Sequence, residues 1–265
     1  MTSQANNRKG FTLIELLLAM AVFLTICGAI FALLQLSQQR YSSETQLSGT
    51  FQEARLAVDQ IVRDVNDAGF PAAGMFSTTP PAALYAVTPV AWAPGYPSLP
   101  GCQIGTGGGG TCATPGDFDL ILETTINGTV SWIRYQLPAE STTLYRAAVA
   151  KTDSDPSEAT SGSGVMVPFV VNVMNNASGA QLAQITATYP TMFPTENPVP
   201  IFQYICDTPA GTVACPNAAA SYNSPQNIRD VDITLIVQTQ LPDAQTGQLK
   251  LIELNGRGHR LNPSN

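Results

Sequence analysis

The chain has 265 residues, with 12 Lys and Arg against 19 Asp and Glu, for a formal net charge of −7 at pH 7. That acidity argues against direct binding of nucleic acid, whose phosphates it repels. His259 is the one histidine and lies in a polar tail, and there is no G-x-S-x-G elbow, which argues against a Ser-His-Asp hydrolase.

The first predicted element is "RKGFTLIELLLAMAVFLTICGAIFALLQL", residues 8–36. From Phe11 to Leu34 it runs 24 residues with a single charge, Glu15, and about 20 apolar residues suffice to cross a bilayer as a helix. Arg8 and Lys9 precede the run, whereas Gln35 to Tyr41 carry only Arg40. Positive charge beside a span tends to stay in the cytoplasm, so the rest of the chain is expected outside. A removed secretory signal fits less well, because its apolar core is about 7–15 residues and ends at a small-residue cleavage site. Glu15 is the anomaly: a lone carboxylate in hydrocarbon is costly unless a cation accompanies it or it snorkels to the headgroups.

Within this stretch, "KGFTLIELLLAM" closely resembles the leader junction of type IV pilins and type II secretion pseudopilins. The resemblance implies cleavage by a prepilin peptidase after Gly10, N-methylation of the new amino terminus at Phe11, and anchoring in inner-membrane lipid. It also implies a role for Glu15, fifth in the mature chain. The amine of Phe11 lies four residues back, about 6 Å along a helix axis, and a neighbouring subunit shifted by about one turn would bring another amine closer. Glu15 then acts as a register mark for assembly with other minor and major pilins. Removal of the leader deletes Arg8 and Lys9, leaving 10 basic against 19 acidic side chains, a net of about −9.

Beyond the span, "ETQLSGTFQEARLAVDQIVRDVNDAGF" places Leu47, Phe51, Ala54, Val58, Ile61, Val65 and Ala68 at alternating steps of four and three. That is one apolar helical stripe. Arg55 with Asp59, and Asp59 with Arg63, form i,i+4 pairs on the polar side, each worth about 0.2–0.5 kcal/mol. Gly69 and Pro71 then stop the helix, so it is predicted from Phe11 to Ala68, about 87 Å long. Gly49 costs about 1 kcal/mol relative to Ala and weakens a coiled-coil reading; packing on a sheet is expected instead.

After Pro71 the composition turns to Pro, Gly, Ala, Ser and Thr between short β-branched runs, which predicts a strand-rich domain. The clearest hairpin is "DFDLILETTINGTVSWIRYQL", turning at Asn127 and Gly128. Further strands are predicted at 84–90, 143–149, 165–173, 182–189, 228–239 and 248–254, with a last hairpin through "LPDAQTGQ". In "DVDITLIVQTQ", Val231, Ile233, Leu235 and Val237 share one face. The tail "GRGHRLNPSN" reads as unstructured or weakly packed.

Cys102 and Cys112 bracket one short loop, and Cys206 and Cys215 another, so each pair is predicted to form a disulfide in an oxidising compartment. Each is worth roughly 2–3 kcal/mol. A four-Cys zinc site is disfavoured, because structural zinc ligands are usually two to four residues apart. Cys27 reads as a small apolar filler in lipid. "GTGGGGT" lacks the Lys and Ser/Thr of a phosphate loop. Asp153, Asp155 and Glu158 read as a solvated loop, since Pro156 interrupts them and no glycine makes a calcium-loop turn. Asn127 and Asn176 match glycosylation acceptors but read first as turns. No catalytic residue, metal or cofactor is expected.

Two further segments, "QEARLAVDQIVRDVNDAGFP" and "IRDVDITLIVQTQLPDAQTGQ", resemble PilW-like minor pilins and J-type minor pseudopilins. Many major pilins carry a proline in the second half of the span, whereas this chain has none between Phe11 and Pro71, which argues against a major, filament-building role. The resemblance implies an α+β pilin-like fold: leader 1–10, membrane-spanning helix 11–34, extracytoplasmic amphipathic helix 35–69, β-rich domain 70–258 and flexible tail 259–265. It implies a minor pilin that primes assembly of a type IV pilus or caps it, with a pseudopilin of type II secretion as the alternative. A membrane-tethered adhesin or binding module is the other class left open by the middle 150 or so residues, which carry no recognisable motif.

Overall fold

The computed structural model describes residues 12–70, 90–91, 103–104, 111–112, 116–151, 166–194, 197–208, 211–215, 227–243 and 246–261. Its first element, α1 (Leu13–Asn66), has 54 residues and is about 81 Å long at 1.5 Å per residue. It stops two residues short of Ala68, with Asp67 as C-cap and Gly69 at φ +87°. The Gly69 N–H donates to the Glu123 carbonyl at 2.8 Å, so the residue that turns the chain out of the helix also ties it to the first sheet.

That sheet is antiparallel and contains β1 (Val90–Ala91), β4 (Asp119–Ile126), β5 (Thr129–Gln136), β6 (Leu144–Ala150) and β7 (Val167–Val170), in that order. The β4–β5 turn is the predicted Asn127–Gly128, with φ of +50° and +82°, the left-handed pair that suits the twist of a tight hairpin. A second antiparallel sheet has the order β11 (Leu251–His259), β10 (Ile228–Gln238), β8 (Phe202–Thr208), β9 (Gly211–Cys215). The short strands β2 (Gln103–Ile104) and β3 (Thr111–Cys112) pair in parallel.

One core joins the helix to both sheets. From α1 come Ala54, Ala57, Val58, Ile61 and Val65; from the first sheet Leu120, Leu122, Ile133, Tyr135 and Leu144; from β10 Val231, Ile233, Leu235 and Val237. The alternation predicted for β10 is therefore the face that packs inward. Its opposite face contributes Ile236 to a smaller core with Met174, Leu182, Ile185, Phe193 and Leu251.

Several elements differ from the sequence reading. Residues 182–189, predicted as a strand, lie largely in a helix, α2 (Gly179–Thr188). Leu182 and Ile185 are its buried residues, a helical spacing of three, and Tyr189 packs against the same core at a further step of four. The β-branched Ile and Thr of the segment do not override this spacing. The strand predicted at 165–173 is confined to Val167–Val170, with Val173 making one bridge to Val237. Of the strand predicted at 84–90, only Val90 is described.

The largest correction concerns the tail. β11 starts later than predicted and runs through Gly256 and Gly258 to His259, so the first four residues of "GRGHRLNPSN" are strand. The reason is close approach: a Cβ added at Gly256 would stand 2.5 Å from Val58 Cγ1, and one at Gly258 would stand 2.5 Å from both Cβ and Cγ1 of Val65. The two glycines let the strand backbone lie directly against α1. Beyond it, the Arg260 N–H donates to Arg229 O at 2.8 Å and the Leu261 N–H to Asn66 O at 3.2 Å.

Candidate membrane-assembly site

The helix opens on a reciprocal capping box. The Glu15 N–H donates to Thr12 Oγ1 at 3.4 Å, while the Thr12 N–H and hydroxyl both donate to Glu15 Oε2 at 3.2 Å. The carboxylate thus satisfies an orphan amide at the positive end of the helix dipole. Glu15 therefore has a local partner even before any subunit approaches it, which the sequence reading missed; Thr-x-x-Glu was the available signal. Gly10 and Phe11 lie outside the described residues.

From Leu13 to Leu36 the apolar side chains face outward: Leu13 is 77% exposed and Leu33 68%. Among the described residues α1 is the one helix long and apolar enough to cross a membrane, and its apolar stretch is uncovered by the rest of the chain. Burial begins in the second half. Ala54, Val58, Ile61, Val65 and Ala68 of the predicted stripe are buried, Leu47 is half-buried, and Phe51 remains 40% exposed. Phe51 and Leu47 line an open apolar groove of about 740 Å³ with Tyr189, Met192, Leu251 and Ile252.

Polar contacts fix the register of helix on domain. Asp64, at the edge of the apolar stripe, accepts from Tyr135 Oη at 2.5 Å and from Arg146 Nη2 at 2.9 Å through Oδ2, and from Gln60 Nε2 at 2.8 Å through Oδ1. Burial, with Asp64 and its hydrogen bond adding to it, pushes the Tyr135 hydroxyl above its ordinary pKa. Burial alone would lower Arg146, but Tyr135 and Asp64 outweigh it and raise the guanidinium. The phenol therefore stays neutral and the guanidinium charged.

At the helix end, the His259 N–H donates to Asn66 Oδ1 at 2.8 Å, and the ring Nδ1 lies 2.5 Å from Asp230 Oδ1. Arg257 Nη2 donates to the other Asp230 oxygen at 2.5 Å. Burial pulls the Asp230 carboxyl upward, but hydrogen bonds from Arg257 and His259 outweigh it and hold the pKa below its ordinary value. A second buried ion pair, Lys151 with Glu123, lies on the other face of the first sheet, with the ammonium 5.2 Å from the centre of the Trp132 ring. These interactions knit the domain.

Cys206 and Cys215 are joined by a disulfide between β8 and β9, with Cα atoms 5.8 Å apart. Cys112 lies in β3, while Cys102 is outside the described residues. Cys27 is free and exposed on the apolar half of α1. Among the described residues no group of three or more His, Cys, Asp and Glu side chains could hold a metal; Asp153, Asp155 and Glu158 lie outside them.

The prokaryotic N-terminal methylation motif matches residues 5–31. No curated protein and no solved structure matches the chain. The motif covers the leader junction and most of the uncovered apolar helix, and it implies processing by a prepilin peptidase and assembly with other pilins. It points to a structural subunit rather than an enzyme. The chain carries the N-terminal signature of a type IV pilin-like prepilin on an α+β pilin-like fold.

Proposed function

We propose that the protein is a minor pilin-like subunit, cut after Gly10 and methylated on Phe11, that primes assembly of a type IV pilus or caps its tip from the inner membrane. One observation supports this above the others: the methylation motif runs without a break into a helix whose first half is bare and apolar while its second half is part of the domain core. Such a helix needs lipid or neighbouring helices along its first half, and the membrane and then a filament supply these in turn. The segments resembling PilW-like proteins favour a minor role. The domain is the extracytoplasmic part, and Glu15 sets the register with neighbouring subunits.

Three measurements test the reading together. The mature protein should have the mass of a chain starting at N-methyl-Phe11, and Gly10→Leu should abolish that processing. Deletion of the gene should reduce surface pili and leave protein secretion intact; the opposite pattern would assign the subunit to a type II secretion pseudopilus. Glu15→Ala should leave processing and the outer domain unchanged yet lower crosslinking to partner pilins. Wild-type crosslinking and piliation in that variant would refute the register role.

A further inference from the structure

The loop that joins β10 to β11, described at residues 239–243 and 246–250, lies beside α1 toward its membrane-spanning half. Pro242 walls the same recess as Gln35, Gln38, Gln39 and Ser42 of the helix, and Gln35 directly follows the apolar run ending at Leu34. Ser43 Oγ donates to Asp243 Oδ2 at 3.1 Å, which pins the loop about 10 Å along the helix from Leu36. The recess that Pro242 borders begins at Gln35, the level where a bilayer's headgroups surround the helix, a layer several ångströms thick beyond a hydrocarbon core of about 30 Å.

The chemistry of the tip suits that layer. Leu241 is 59% exposed, although every other large apolar side chain on the neighbouring stretch of β10 is buried. Its carbonyl accepts from the Thr239 hydroxyl at 3.1 Å, and Pro242 has no N–H to leave unsatisfied. The carboxylate at the tip, Asp243, is buried and paired with Lys250, so it presents no bare negative charge to anionic lipid. The backbone is held: the Asp243 N–H donates to Gln248 O at 2.8 Å and the Thr239 N–H to Lys250 O at 2.9 Å. On the helix at the same level stand Arg40 and Tyr41, the latter 74% exposed, a pairing typical of the membrane–water interface.

We infer that Leu241 and Pro242 form a second membrane contact, inserting into the headgroup layer on the domain side of the span. It rests on the membrane-anchored reading of α1. One helix alone leaves the domain free to tilt and swing about the membrane normal; a helix and a contact at Leu241 and Pro242 fix two points and orient the domain against the bilayer. The ligand is the lipid surface itself, recognised through apolar insertion rather than through a headgroup-specific pocket.

Depth-dependent fluorescence quenching tests this in the full chain, reconstituted in nanodiscs of phosphatidylethanolamine and phosphatidylglycerol. In a Cys27→Ala background, an NBD probe is placed through Leu241→Cys at the tip, Leu24→Cys within the span, or Gln203→Cys. Gln203 pairs with Asp232, six residues before the end of β10, about 20 Å farther from the membrane. The expected result is blue-shifted emission at 241, quenched more by a nitroxide near the headgroup than by one deep in the acyl chains, with the deep nitroxide dominating at 24 and neither acting at 203. Leu241→Asp, read from a probe at Gln240→Cys, should lose the shallow quenching. If the 241 probe behaves like the 203 probe while 24 is quenched, the chain is anchored and the tip contact is wrong. If 24 is also unquenched, the anchoring reading has failed, and the inference falls with it.

Discussion

The packing of β11 on α1 makes Gly258→Ala the most informative single-methyl perturbation of the fold. The added Cβ would meet Val65 Cβ and Cγ1 at 2.5 Å and Cγ2 at 3.1 Å, whereas carbon atoms sit comfortably at about 3.5–4.0 Å. Val65 is fully buried and comes from the helix, so neither partner can swing into solvent; strand and helix must separate by about 1 Å. Overpacking of this kind costs about 1–3 kcal/mol, of which the reduced freedom of the unfolded Ala chain returns roughly 0.4–1 kcal/mol. A net loss of about 1–2 kcal/mol corresponds to a fall in Tm of about 2–8 °C for a domain of this size. Val65→Ala alone should cost about 2–3 kcal/mol through lost burial and a cavity, and the double variant should be more stable than the sum of the two by about 1 kcal/mol or more. Thermal and chemical unfolding of the full chain in detergent, followed by far-UV circular dichroism, reads all four corners of the cycle. A neutral Gly258→Ala that adds to Val65→Ala within about 0.5 kcal/mol would refute direct strand-on-helix packing and return the segment to a loose tail.

Three other outcomes follow from the same contacts. Asp64→Ala should destabilise the domain by about 3–5 kcal/mol, because it leaves the buried Tyr135 hydroxyl without its acceptor and the Arg146 guanidinium without its carboxylate; Asp64→Asn should cost less, and equal stability of both variants with the wild type in denaturant titrations would overturn the assignment. Asp230 is held below its ordinary carboxylate pKa in the folded state, so its contribution is present above about pH 4 and is lost as pH falls through the lower folded value. The stability gap between wild type and Asp230→Asn should accordingly be widest near neutrality and close on acidification, and a pH-independent gap in melting experiments would contradict the pairing. Non-reducing peptide mapping should recover Cys206 joined to Cys215, and replacing both by Ala should lower stability by roughly 2–3 kcal/mol; recovery of a different partner for either cysteine would remove the β8–β9 staple.

How legible the molecule was in its sequence depended on whether the deciding signal was local. The long helix was legible because an apolar run and a stripe with helical spacing both lie within one continuous stretch, and the Asn127–Gly128 hairpin because two residues alone determine the turn. The strand face of β10 was legible for the same reason, a period of two over eleven residues. The segment around Leu182 misleads because its β-branched Ile185, Thr186 and Thr188 mask the three-and-four spacing of Leu182, Ile185 and Tyr189. Gly256 and Gly258 misled more deeply: glycine has the same appearance in a loose tail and in a strand pressed against a helix, and only the position of Val58 and Val65 tells them apart. The charged residues that fix the helix on the domain are invisible for a related reason. Asp64 needs Tyr135 and Arg146, 71 and 82 residues away, and a pairwise reading along the helix found only the exposed Arg55, Asp59 and Arg63.

The division of α1 between two environments explains why so much specific packing is concentrated on its second half. The domain holds the helix from Ser43, bonded to Asp243, to Asn66, bonded to His259 and Leu261, a span of about 35 Å. Below Ser43 the helix has no partner among the described residues other than the lower edge of the recess beside Pro242. A helix bare over its first half is stable in lipid, where its backbone bonds are internal, but its orientation relative to the domain must then be set entirely by the second half. Apolar packing alone is tolerant of a sliding error along a smooth stripe of Ala and Val. Asp64, placed between Tyr135 and Arg146, and Asn66, placed against the end of β11, are not: displacement by one helical turn, about 5.4 Å, would strand a buried carboxylate and a phenol at once. The glycine seat and the two polar clamps thus do for the helix within the subunit what Glu15 is proposed to do between subunits. They convert an apolar contact that merely adheres into one with a single register.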